Sequence, residues 1–277
     1  MPWIVPSHQA PAVALKAWKP GAFSGLGLVL GTMAPDLAAI LRFDNNSPLA
    51  HSLAGQVYIT MPMVVALHAV ATRLVFPWLL VRVAEAGRSV FAAEALASRP
   101  ARTAGEWVRV AYSGFLGGLT HFWIDGFTHG GAEGWARNFL PVLSRPVCLP
   151  MGSMPLHDVL QWSLTLVLGV VALWMWRGLA ERVPSSATKL PRRDEQPIAA
   201  SGLVRGLVLA ALLGALAAVL LRPDAGLALR AELAVYGALA GPLYAVLFAA
   251  LIDQLSEGSS QRSPDIPLGG DSAAGAA

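Results

Sequence analysis

The sequence predicts an all-α, polytopic transmembrane helical bundle of about six spans, and three observations predict it. The chain is 55% hydrophobic and 13% charged, whereas soluble domains carry roughly a quarter charged residues. Stretches of about 20 mostly apolar residues, the length a helix needs to cross a bilayer, recur along it. The connections between them alternate between arginine-rich and arginine-poor.

The elements follow in chain order. Residues 10–18 are apolar and end at Lys19-Pro20-Gly21. They are too short to span, and read either as a re-entrant half-membrane helix or as an interfacial amphipathic helix. Residues 21–43 form the first span, with Asp36 inside it. Residues 53–83 form a long second span that carries Pro62 and Pro77 and is expected to be kinked or tilted. Residues 107–128 form the third, where Gly114, Gly117 and Gly118 allow a neighbouring helix to approach closely. Residues 159–179 form the fourth, with Trp162, Trp174 and Trp176 near its ends as interfacial anchors. Residues 203–221 and 233–251 are alanine- and leucine-rich fifth and sixth spans. Residues 1–255 are thus expected to form a single integral membrane domain. Residues 256–277, rich in Ser, Gly, Ala and Pro without periodicity, are expected to be a disordered tail.

Charge sets the expected orientation. The connection at 85–106 holds Arg88, Arg99 and Arg102, flanked by Arg82 and Arg109. The connection at 182–201 holds Arg182, Lys189, Arg192 and Arg193, flanked by Arg177 and Arg205. The connections at 44–52, 129–158 and 222–232 are poorer in Lys and Arg. The positive-inside rule places the two rich loops, and with them the C-terminus, in the cytoplasm. The expected location is the inner membrane, with lipids as partners. Met1 to Pro11 has neither the basic nor the apolar region of a signal peptide. Cys148 is the only cysteine, which excludes an intrachain disulfide and a cysteine-based zinc site. The basic pI reflects the loops; no aromatic residues interleave with a basic stripe, so nucleic acid is not an expected partner.

The chemistry concentrates in His121-Phe-Trp-Ile-Asp125-Gly-Phe-Thr-His129. His121 and Asp125 project together from one helical turn, which suits one shared cation, two bridged ones, or a hydrogen bond that fastens helices. Ionisable groups inside a bilayer are costly, and the default reading is a functional site. Asp36 follows Pro35 near the end of its span, and His51 stands before the second. His129 runs into Gly130-Gly131, which reads as a helix C-cap whose histidine is either a ligand or a supporting group. His157-Asp158 starts the fourth span. All of these fall at the same, non-cytoplasmic face. His8 joins them if the N-terminal stretch is a hairpin arm, although chain ends alone are usually poorly ordered. His68, among apolar residues in mid-helix, reads as structural. Neither Gly-x-Ser-x-Gly nor a P-loop or dinucleotide fingerprint occurs.

The order Ser7-His8, Gly31-Thr-Met-Ala-Pro35-Asp36, His51-Ser52 and Gly118-Leu-Thr-His121-Phe-Trp-Ile-Asp125-Gly-Phe-Thr-His129-Gly-Gly resembles a bacterial membrane-protein family described as a domain of unknown function, DUF4184. The likeness covers residues 1–179 by motif and the last two spans by hydropathy. More distantly, the series is similar to bacterial inner-membrane proteins described as metal-dependent hydrolases and to the all-helical zinc-dependent phospholipase C family. That likeness implies His8, Asp36, His51, His121, Asp125 and His129 as a ligand set for zinc, or for another divalent metal such as manganese. The chain departs from it in two places. Pro35-Asp36-Leu-Ala-Ala stands where the hydrolases carry Pro-Asp-x-Asp-His, and the late His-xxx-Glu has only His157-Asp158 as its nearest match.

The expected function is a membrane-embedded, metal-dependent hydrolase of lipid-linked phosphoesters, with Asp125 as the alternative proton acceptor to a ligand role. A transporter, or a non-catalytic protein that uses the cluster for ion binding or helix packing, is the alternative. No inverted repeat supports the transporter.

Overall fold

The computed structural model describes residues 6–42, 49–82, 98–131, 133–150, 152–180 and 200–220, and helical residues at 234–235, 238, 241–242 and 244–252. Arg88, the basic residues between 182 and 193, the tail and part of the sixth apolar stretch lie outside the described residues.

The described chain is mostly helical. A 3-10 turn, Pro6–His8, leads into α1, Gln9–Trp18. At 1.5 Å per residue α1 is about 15 Å long, half a bilayer core. Pro11 sits in its first turn, where a missing N–H is tolerated. The helix buries Ala10, Ala12 and Val13. Its exit is fixed by Lys16, whose Nζ donates to the Pro20 and Phe23 carbonyls at 2.7 and 2.8 Å.

Helix α2, Gly25–Arg42, carries Pro35 internally. It packs most extensively on α4, Ala104–Thr128. Glycine makes that approach feasible: a Cβ on Gly31 would fall on the Gly114 carbonyl oxygen, and one on Gly117 on the Leu28 carbonyl oxygen. Small residues at the contact let dispersion and close backbone approach hold helices together where water supplies no drive. The Ser24 amide donates to Ser113 Oγ at 3.0 Å, and the Tyr112 hydroxyl donates to the Ala22 carbonyl, which fixes the register.

Helix α3 runs continuously through Leu53–Gly55, Gln56–Thr60, Met61–Val70, Ala71–Val75 and Phe76–Arg82. Two of these segments, Gln56–Thr60 and Ala71–Val75, are π-helical turns. Each directly precedes the turn that contains Pro62 or Pro77. A proline strips its i−4 carbonyl of a partner and crowds it; a wider turn relieves both, so the prolines are absorbed as bulges within one helix.

Helix α4 starts with a reciprocal capping box. Thr103 Oγ1 accepts from the Glu106 amide, and Glu106 accepts from the Arg102 and Thr103 amides at 2.7 and 3.0 Å. Those amides hold the Glu106 carboxyl below the ordinary glutamate value. Thr103→Ala is expected to lower the melting temperature in detergent by a small, measurable step while Thr103→Ser retains it; equal melting of all three proteins would remove the cap from the account.

After α4 come two 3-10 turns, Trp135–Asn138 and Pro141–Ser144, and an antiparallel hairpin, β1 Pro146–Leu149 with β2 Gly152–Pro155. The hairpin departs from the all-α expectation. Its eight strand residues pair Pro146 with Pro155 through Leu149 with Gly152. Gly152 adopts φ 130°, open to glycine and strained for other residues. A four-residue strand is too short for a period-2 pattern to stand out.

Helix α5, Leu156–Ala180, and α6, Ala200–Leu220, follow. The 3-10 turn and α1 pack against α5. Among the described residues two helical stretches are long and apolar enough to cross a membrane, Leu53–Leu79 and Leu156–Met175; Gly25–Ala38 and Arg205–Ala217 are apolar but shorter. Only 22% and 11% of the two long windows are buried, so most of their apolar side chains stay exposed or half-buried, although Val64 joins Ala34, Ala101 and Val110 in a small core. On α5, Leu166 is 69% and Trp174 74% exposed.

Candidate metal centre

Four segments deliver the polar cluster. His8 ends the 3-10 turn before α1, and Asp36 sits on α2 one residue after Pro35. His51 lies in the turn before α3. That turn is held by Gln56, fully buried, whose amide donates to the Ala50 carbonyl at 2.9 Å while its Oε1 accepts from Thr60 at 2.9 Å. Ser52 caps α3 by accepting the Gly55 amide at 3.0 Å. His121 and Asp125 lie four residues apart on α4, and His129 is its C-cap.

Asp125 is the hub, 2% exposed. Its Oδ1 lies 3.1 Å from His8 Nε2 and 3.3 Å from His129 Nδ1. Its Oδ2 lies 2.8 Å from His121 Nε2 and 3.7 Å from His51 Nε2. Asp36 Oδ1 lies 3.5 Å from His51 Nε2 and 3.7 Å from His121 Nε2. The rings of His8 and His121 stack at 4.6 Å between centroids, and those of His51 and His121 lie 5.4 Å apart.

Two triads result, His8/His121/Asp125 and Asp36/His51/His121, each with donor atoms within 4.8 Å of one another. His121 belongs to both. It is 1% exposed, and neither ring nitrogen has a partner in hydrogen-bond alignment, despite the short distance to Asp125. A buried imidazole left this way is costly unless something else engages it. Imidazole nitrogen and carboxylate oxygen are the donors that zinc takes, and manganese accepts the same types. The residues present therefore fit a divalent ion.

Two groups outside the helical spans report the local field. Burial draws the His51 imidazole down, but its contact with Asp36 and the charge of Glu133 outweigh this and raise it above the ordinary value. Burial pushes His129 below the ordinary value against the pull of Asp125 and Glu133.

Of the six sequence-predicted ligands, His8, Asp36, His51, His121 and Asp125 occupy the triads. His129 touches Asp125 and shares a 3.1 Å contact between its Nδ1 and Thr128 Oγ1. His157 is drawn elsewhere: its Nδ1 donates to the Leu143 carbonyl at 2.9 Å, tying the Pro141–Ser144 turn to α5. His68 is buried in α3 with its ring edge-on to Trp107 at 5.8 Å, a packing position.

Two residues at the site escaped sequence reasoning. Glu133 Oε1 lies 3.5 Å from His51 Nδ1, on the side of the ring away from the aspartates. Its signal was an acidic residue in the glycine-rich run that follows His129. Gly134 is required there, because a Cβ would fall on the His129 carbonyl oxygen. Ser7 precedes His8, is 3% exposed, and lines a cavity next to the cluster.

No curated protein and no solved structure matches this chain. A family model does, described as "Domain of unknown function (DUF4184)", and it matches residues 1–251, well beyond the stretch that carries the His/Asp motifs. The chain belongs to the DUF4184 family.

Proposed function

We propose that this protein is a six-span inner-membrane, metal-dependent hydrolase whose His/Asp centre opens to the non-cytoplasmic face and acts on a lipid-linked phosphoester. The observation that carries the reading is the convergence of His8, Asp36, His51, His121 and Asp125, from four separate segments, into two triads that share His121. Outward-facing apolar side chains on α3 and α5 support a lipid environment. The arginine-rich connections of the sequence support the orientation.

His8, His51, His121, Asp36 and Asp125 would hold the ion, which is zinc or manganese. When bound, such an ion supplies Lewis-acid activation of water near neutral pH. The chain's own residues do the rest. Asp125 aligns four imidazoles. Glu133, behind His51, orients that ring as a carboxylate does behind a ligating histidine. A base role for Asp125 requires one of its four contacts to open when substrate enters, since both oxygens are engaged.

The test is elemental analysis of full-length protein purified in detergent without chelator, beside the His121→Ala, Asp125→Ala double variant. Near-stoichiometric zinc or manganese in the parent and its loss from a variant that still melts cooperatively is the expected result. No metal in the parent, even after reconstitution, would sink the hydrolase reading and favour a transporter or a packing role.

A further inference from the structure

The cavity beside the cluster has a second wall that the metal ligands do not explain. Ser7, Gln161, Leu164, Thr165 and Leu168 line it together with Asp125. Ser7 Oγ is buried and has no hydrogen-bond partner. A buried hydroxyl without a partner is costly, and one that lines a cavity next to candidate ligands points to a group that completes it.

The wall on α5 carries the same message. Gln161, Leu164, Thr165 and Leu168 follow i, i+3, i+4, i+7 spacing and so share one helical stripe. All four are half-buried, whereas Trp162, Leu166, Val170 and Trp174 on the other side are exposed. A soluble helix turns its polar stripe outward. Here Gln161 and Thr165 turn inward, onto the cavity, while Trp162, Leu166, Val170 and Trp174 turn outward. Polar residues held inside an otherwise apolar helix mark a ligand path.

We infer that Ser7, Gln161 and Thr165 form a phosphate-binding wall opposite the His/Asp cluster, with the ligand's apolar chain lying along Leu164 and Leu168. This rests on the metal-centre reading above. A phosphate group presents more oxygens than a metal engages, and the remaining ones need donors. Two hydroxyls and a carboxamide supply them. The two leucines sit on the same stripe as the donors, so a ligand held at Gln161 and Thr165 runs its tail between them. That arrangement selects a phosphoester attached to a lipid over a free phosphate.

The experiment uses the full-length chain in detergent, loaded with zinc and desalted to remove the free ion. Zinc content is read by elemental analysis. Affinities for inorganic phosphate and for dioctanoyl phosphatidic acid are read by calorimetry. Ser7→Ala and Thr165→Val are compared with the parent and with Thr165→Ser, which keeps the hydroxyl. The expected result is parental zinc in every variant, affinity for both probes about tenfold weaker in Ser7→Ala and Thr165→Val, recovery in Thr165→Ser, and tighter binding of the lipid than of phosphate by the parent. Parental zinc with unchanged affinities overturns the wall and leaves the metal centre standing. So does a zinc-loaded parent that binds neither probe. Loss of zinc from Ser7→Ala or Thr165→Val also overturns it, because the residues then serve the cluster. Equal affinity for the two probes overturns the assignment to a lipid. A parent without zinc removes the metal centre, and this inference falls with it.

Discussion

Asp125→Asn is expected to abolish metal retention and to lower thermal stability sharply. The substitution preserves the shape of the side chain and removes its charge. Both oxygens of Asp125 face imidazoles, four in all, within 2.8 to 3.7 Å. The side chain is 3% exposed, so water cannot take over these contacts. Removing one partner from a buried, charge-paired network costs about 3–5 kcal/mol, because the remaining groups stay buried without compensation. Loss of a ligand should weaken metal binding by more than the roughly 10–100-fold seen when only a supporting group is lost. Glu133→Gln provides the scale: it should weaken metal binding within that smaller range and leave melting nearly parental. If Asp125→Asn retained zinc as tightly as Glu133→Gln does, Asp125 would be a packing residue and the triad with His8 and His121 would lose its meaning.

Gly117→Val is expected to disrupt the same site from outside it. A Cβ at this position falls on the Leu28 carbonyl oxygen, with the Thr32 amide at 3.0 Å and the Gly31 Cα at 3.1 Å. Every one of these is backbone, so no rotamer change can relieve the clash, and α2 and α4 must separate. Overpacking costs about 1–3 kcal/mol where side chains can adjust, and more where they cannot. The separation also splits the centre, because Asp36 rides on α2 while His121 and Asp125 ride on α4. Melting temperature and bound metal should therefore fall together. Gly105→Ala, where an added Cβ meets nothing within 4 Å, should leave both readings at or slightly above the parent. Retention of metal by Gly117→Val would mean that the two helices do not need this contact to hold the centre.

Much of the cluster was legible in the linear sequence for a local reason. The i, i+4 spacing of His121 and Asp125 fixes their common side on any helix, and the C-cap position of His129 follows from the two glycines after it. The glycines at 114, 117 and 118 likewise announced a close helix contact. The prolines of the second apolar stretch were read as sources of a kink or tilt. The helix is continuous through both, and a π-helical turn directly before each compensates for the lost backbone partner. That compensation depends on how the backbone relaxes and leaves no mark in composition.

His8 and Ser7 show the opposite case. Taken alone, a residue this close to a chain end reads as poorly ordered. Packing of the Pro6–His8 turn against α5, and of α1 against α2, carries it to Asp125 across 117 residues of chain. Glu133 was invisible for the same reason: only the path of the loop after α4 brings a carboxylate to the far side of the His51 ring. His157, which sequence order placed beside the cluster, is taken up by the Leu143 carbonyl.

By itself, then, the sequence determined the helical architecture, the apolar stretches and the identity of the donor atoms, since these rest on residue type and on spacing within a single turn. The tertiary structure alone decided which donors meet. It made His121 common to two triads, enclosed Asp125 among four imidazoles and turned Gln161 and Thr165 inward. Those outcomes depend on distances between segments far apart in the chain, which close glycine contacts and the turns before α1 and α3 set and no local pattern encodes.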